Sequence, residues 1–204
     1  MLIVTGPQGS GNHLFSKIFA LHESVYGWKT LLTTYWEGHH HEPFAQHWRQ
    51  PELLDSFDWS QSDFYVTSIS CPFFADAEPH VPDYVRFIET VSKYCDVDIC
   101  IIGRDQNILE SQQKRVRKTH TTPIALEAID EIVLENNVTF LSQELLYLYK
   151  QRYLEQLSRD LDWPIAHWDP EVFTVLAEDA NRKYVKDVHE YWLDHEVARA
   201  VRES

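Results

Sequence analysis

The sequence has little of several things, and each shortage excludes a class of protein. Three cysteines in 204 residues are too few, and odd in number, for a disulfide framework, and Cys71, Cys95 and Cys100 have no zinc-ligand spacing. They read as small core residues of a reducing compartment. Six Gly and nine Pro exclude collagen-like and low-complexity chains. No apolar run approaches the length of a bilayer span. The first residues lack the basic and long apolar regions of a signal peptide, so the expectation is a cytoplasmic protein with no membrane span. Positive charge is also scarce. Eighteen Lys and Arg against 32 Asp and Glu give a net charge of −14, and a surface this acidic repels nucleic acid.

What is present is apolar and aromatic. Hydrophobic residues make up 44% and aromatic residues 13% of the chain, enough for a sizeable core. With no repeat or linker, residues 1–204 read as a single domain. The apolar run at residues 1–5 reads as a buried parallel strand. A helix follows from residue 12, with Leu14, Phe15, Ile18 and Phe19 on one face. Further strands are expected at residues 64–69 and 97–102, and a short one at 165–168. Helices are expected at residues 81–94, 106–118, 123–134 and 142–161, and again from Pro170, making the C-terminal half helix-rich. Strands alternating with helices predict an α/β fold, three-layer α/β/α, around a central, mostly parallel sheet. In such sheets ligands sit at the carboxyl ends of the strands.

Two segments each follow an expected strand and would share one edge of the sheet. The first is Gly6-Pro-Gln-Gly-Ser-Gly-Asn-His13, between strand and helix. Gly6 and Gly11 keep the glycine spacing of a phosphate loop, whose amides face an anion at a helix N-terminus. Asn12 and His13 stand where that pattern has its lysine and Ser/Thr, the side chains that hold a magnesium nucleotide. The second begins at Gly103. Five of the eighteen basic residues, Arg104, Lys114, Arg115, Arg117 and Lys118, fall within residues 104–118. Arg104 is placed as a phosphate fork, with Ser111 two turns further on.

These segments resemble the sulfotransferase family that uses 3′-phosphoadenosine 5′-phosphosulfate (PAPS). Pro7, Ser10 and Gly11 match its 5′-phosphosulfate loop, with Asn12 and His13 at two threonine positions. Gly103-Arg104-Asp105 followed by Ser111 is similar to its 3′-phosphate segment. The Tyr149 to Tyr153-Leu154 helix and Asp162-Trp-Pro-Ile165 are similar to its C-terminal half. The loop lysine is absent, Gly9 standing in its place, and Gln106 replaces a proline. The resemblance implies a P-loop NTPase-like fold and metal-free, in-line sulfuryl transfer to a hydroxyl or amine of a small-molecule or carbohydrate acceptor, with 3′,5′-ADP as product. The implied cofactor-binding residues are Gln8, Gly9, Ser10, Gly11, Asn12, His13, Leu14, Arg104 and Ser111, with Arg115 and Lys118 (or Lys114) supplying the missing cation.

The base of such a reaction is His or Glu. The candidates are Glu37, His39, His40, His41 and Glu42, in a segment rich in His and Trp, together with His13 on the loop. Trp36, Phe44 and Trp48 are the expected acceptor wall. Three successive histidines cannot all face one ion from a regular element, and no zinc-protease spacing is present, so no metal is assigned to them. Two other readings remain open. One is a kinase of a small metabolite, with residues 117–123 as a lid over phosphate. The other is a nucleotide-binding module without turnover.

Overall fold

The computed structural model describes residues 1–31, 41–75 and 78–177. Its centre is a four-stranded parallel sheet in the order β2-β1-β5-β6, formed by β1 (Leu2–Pro7), β2 (Val66–Cys71), β5 (Asp98–Gly103) and β6 (Val138–Ser142). A hairpin of β3 (Phe73–Ala75) and β4 (Glu78–His80) follows β2 directly. The helices are α1 (Asn12–Ala20), α2 (Trp28–Leu31), α3 (Tyr84–Val91), α4 (Gln106–Arg117), α5 (Thr122–Glu135), α6 (Gln143–Tyr149), α7 (Gln151–Asp160) and α8 (Pro170–Ala177). Two 3₁₀ segments, Ala45–Trp48 and Pro51–Ser56, lie between α2 and β2.

The side-chain alternation of a strand explains the three layers. Leu2 and Val4 of β1 and Cys100 and Ile102 of β5 point to one face, where they pack with Phe15, Ile18 and Phe19 of α1, Leu154 and Leu157 of α7 and Val172 of α8. Met1, Ile3, Ile99 and Ile101 point to the other face, against Phe87 of α3, Ala125 and Ile129 of α5 and Trp48 of the first 3₁₀ segment. β1 is buried at every position because it has a strand on each side and helices on both faces, which is why it reads as an unbroken apolar run. The chain is therefore an α/β protein with a parallel sheet between two helical layers. Among the described residues no helix is long and apolar enough to cross a membrane.

Several boundaries depart from the sequence expectation. The fourth strand is β6, not residues 165–168. Ile165 and Ala166 are buried in the core, but in irregular backbone. The long helix expected over 142–161 is two helices, broken at Lys150, which takes a positive φ of 44°. The cysteines are unpaired. Burial pushes the Cys71 thiol up to about 11 and that of Cys100 up to about 12.

Candidate functional site

Strand order places the site. From β1 the chain crosses to β2 on one side and later to β5 on the other, so the order reverses at β1. The crevice at its carboxyl end is where such sheets take ligands. The glycine loop joins β1 to α1 at this point, with the ends of β2 and β5 beside it.

The loop is held by its carbonyl side. Asn12 Nδ2 donates to Gly6 O at 2.9 Å and to Ser70 Oγ at 3.1 Å, and its Oδ1 accepts from Ser10 Oγ at 3.1 Å. Gln113 Nε2 donates to Gln8 O at 2.7 Å. Arg104 Nη1 donates to Gly9 O at 2.7 Å and to Gln112 Oε1 at 3.0 Å. Gly9 and Gly11 take φ of +89° and +110°, a region that favours glycine. A β-carbon on Gly11 would come 2.6 Å from Gln143 Oε1. Among the described residues, the Gly9 and Gly11 amides donate to no acceptor. The loop's carbonyls thus accept from Gln113 on α4, from Arg104 and from Asn12, and its Gly9 and Gly11 amides are left available at the N-terminus of α1.

The side chains expected at this loop divide sharply. Ser10, Asn12 and Gln8 are buried and engaged in loop contacts, so Ser10 and Asn12 act as loop braces rather than as donors to a ligand. Leu14 lies in the hydrophobic core. Any contact from these positions runs through the main chain. Arg104 does reach the loop, as shared sheet edges predict, but its Nη1 latches Gly9 instead of standing open as a fork. Ser111 is exposed on α4, and so are Arg115 and Lys118. Ser111 and Arg115, four residues apart, share one face of α4, whereas Lys118 follows the helix as its C-cap with a positive φ of 62°. Asp105 caps α4 by accepting from Ile108 N at 3.0 Å. In the segment 117–123, read as a lid, Thr121 reaches the loop itself, its Oγ1 donating to Gln8 Oε1 at 3.3 Å. Thr121 and Thr122 are buried, and Gln113 Oε1 accepts from Thr121 N at 2.8 Å and Thr122 Oγ1 at 3.1 Å.

His13 opens α1 at the end of the loop. Its Nδ1 lies 2.8 Å from Glu42 Oε1, and Ser68 Oγ donates to Glu42 Oε2 at 2.6 Å. Glu42 is 6% exposed, so a carboxylate is buried between a loop histidine and a β2 serine. Buried carboxylates require such partners. Of the other base candidates, His41 is exposed, while Glu37, His39, His40 and the wall residue Trp36 lie outside the described residues. No three His, Cys, Asp or Glu side chains converge as a metal set among the described residues.

A cavity of about 610 Å³ opens beside the loop, lined by Gln8, Gln46, Trp48, Arg49, Ser68 and Phe73, among others. Of the residues expected as the acceptor wall, Trp48 lines this cavity. Phe44 does not: it stacks on Trp59 with centroids 5.9 Å apart, within the aromatic core cluster. Beneath, Tyr84 Oη and Thr5 Oγ1 share a 2.7 Å hydrogen bond, and burial drives the Tyr84 pKa well above its ordinary value.

Sequence reasoning missed Gln112, Gln113, Ser68 and Ser70. Glutamine on a charged helix ordinarily signals solvent, and neither serine stands in a motif. No protein-family model matches the chain, and no curated protein matches it.

Proposed function

We propose that the chain is a P-loop sulfotransferase, moving a sulfuryl group from PAPS to a hydroxyl of a small acceptor. One observation carries the reading: the glycine loop has its carbonyls tied back while the Gly9 and Gly11 amides stay available. That arrangement suits a phosphosulfate without any loop lysine, and it suits an acidic protein, because the donors are neutral. Asn12 and His13 stand in place of the lysine and hydroxyl that hold a magnesium nucleotide, which favours sulfuryl over phosphoryl transfer.

The acceptor occupies the cavity along β2. His13 is the base, and Glu42 is a positioning residue. With Nδ1–H donated to Glu42, the Nε2 lone pair is the one that takes a proton. The acceptor oxygen attacks sulfur and His13 receives its proton. The bond between sulfur and the bridging phosphate oxygen breaks, and its electron pair leaves with 3′,5′-ADP. Glu42 offsets the imidazolium charge. Ser111 and Arg115 on one exposed face of α4, with Lys118 just past its end, hold the 3′-phosphate, while Arg104 keeps the loop in shape.

Ligand-induced stabilisation tests this by mass action. 3′,5′-ADP should raise Tm without magnesium, and more than ADP or ATP. The double variant Arg115→Ala, Lys118→Ala should lose most of that shift while 5′-AMP is little affected. Glu42→Gln should keep the 3′,5′-ADP shift and lose turnover with PAPS. A shift seen only for ATP with magnesium would refute the reading.

A further inference from the structure

The cavity beside the loop carries a charge that the transfer chemistry does not use. Three aromatic side chains, Trp48, Phe73 and Phe74, form part of its wall. Trp48 is fixed: it stacks on Phe87 with centroids 3.8 Å apart, and its Nε1 donates to Thr67 Oγ1 at 3.0 Å. Phe73 and Phe74 of the hairpin also line the cavity, the Phe73 ring stacking with His80 at 5.6 Å between centroids. The polar groups on the strand side are already engaged, Ser68 with Glu42 and Ser70 with Asn12.

Arg49 is the one charged side chain among the residues lining the cavity. Its guanidinium carbon lies 5.9 Å from the Phe73 ring centroid, within the range of a cation resting on a ring. Among the described residues no carboxylate pairs with Arg49. Among the described residues Lys118, Lys150 and Arg152 also have no acid partner, but Arg49 alone of these lines the cavity, while four other cations are paired. Arg86 pairs with Glu52, Lys93 with Asp55, Lys114 with Glu110 and Arg159 with Glu155. In a chain of net charge −14, acids are available to cover a cation. The one at the cavity wall lies over a ring instead, with no acid among the described residues directing its fork of donors.

We infer that the acceptor is an anion: a small hydroxylated molecule with a flat apolar body and a carboxylate or similar group. The aromatic walls take the body, and Arg49 takes the anionic group through two parallel donors. This rests on the reading that the cavity holds the acceptor of a sulfuryl transfer. The volume suits a small molecule, since ligand pockets run roughly 300–1,000 Å³.

Three probes share one ring and one phenol and differ only in charge: 4-hydroxyphenylacetate, 4-hydroxyphenylacetamide and tyramine. Binding is measured by calorimetry on the full chain with 3′,5′-ADP present, and sulfuryl transfer is measured separately with PAPS. The acid should bind on the order of tenfold tighter than the amide, with tyramine weakest. Arg49→Gln should bring the acid down to the amide while leaving the amide unchanged. Arg49 is exposed, so folding survives the change. Equal binding of the three, preference for tyramine, no binding by any at millimolar concentration, or an acid preference that survives Arg49→Gln would each overturn the inference. The two readings fail separately. Arg49-dependent binding of the acid without turnover keeps the anionic ligand and removes the transferase, whereas equal turnover of acid and amine keeps the transferase and removes the anionic acceptor.

Discussion

Replacing Gln113 by Leu tests whether α4 is the structural latch of the glycine loop. Gln113 is 1% exposed. It donates to Gln8 O at 2.7 Å and accepts from Thr121 N at 2.8 Å and Thr122 Oγ1 at 3.1 Å. Leucine keeps most of the volume, so no large cavity opens, but three buried polar groups lose their partner together. A stranded buried group costs about 1–3 kcal/mol. The Thr122 hydroxyl can rotate to another acceptor, which leaves the Gln8 carbonyl and the Thr121 amide carrying most of the loss. The expected destabilisation is about 3–5 kcal/mol. Urea unfolding followed by the fluorescence of the buried Trp48 and Trp163 reads it directly. With a slope near 2 kcal/mol/M, the midpoint should fall by about 1.5–2.5 M at unchanged slope. Gln112→Leu is the control, because Gln112 is only half-buried and Arg104 retains Gly9 O. It should cost less than about 1 kcal/mol. A Gln113→Leu loss below about 1 kcal/mol, or equal losses for the two glutamines, would refute the latch.

Gly11→Ala forces a β-carbon to within 2.6 Å of Gln143 Oε1 at a φ of +110°, and should cost about 1–3 kcal/mol in the same urea assay; a neutral outcome would show that the loop does not need this conformation. Burial of His47 holds its pKa below the ordinary 6.5, so the folded chain binds that proton more weakly than the unfolded chain does. Its contribution is therefore complete above 6.5 and is lost as pH falls through the lowered value. Accordingly, His47→Phe should lose less Tm than the parent between about pH 7 and pH 5, whereas equal losses would contradict this. With Cys71 and Cys100 raised to about 11 and about 12, a thiol reagent at neutral pH should find only half-buried Cys95 in the native protein, and all three after unfolding; rapid native reaction of Cys71 or Cys100 would overturn their burial.

β1 and β5 were legible because a strand buried on both faces writes itself as a continuous apolar run. β6 was not, because it pairs with β5 on one side only. Phe140 there is 62% exposed, so the strand lacks the run that marks an interior one. Residues 165–168 misled for the converse reason: Ile165 and Ala166 are apolar because they are buried, and burial alone does not imply pairing. The helix break at Lys150 is carried by neither glycine nor proline, so no local signal announces it. In the site, glycine spacing located the loop, since only a few residue types tolerate its backbone. The inward roles of Ser10 and Asn12 were hidden. The same amide can serve a ligand or its own loop, and only the surrounding fold decides. Glu42 stood among the candidates, but its pairing with His13 and Ser68 spans 29 and 26 positions, and no spacing rule reaches that far.

Apart from Arg104 and the His13–Glu42 pair, the groups that shape the loop are uncharged: the amide side chains of Gln8, Asn12, Gln112 and Gln113, the hydroxyls of Ser10 and Ser70, and those of Thr121 and Thr122. Contacts between neutral dipoles are not weakened by dissolved electrolyte. The cradle therefore keeps its shape over a wide span of ionic strength. Any decline in ligand affinity on adding salt then measures the charges the ligand itself meets, so a plain salt titration becomes a count of its ionic contacts.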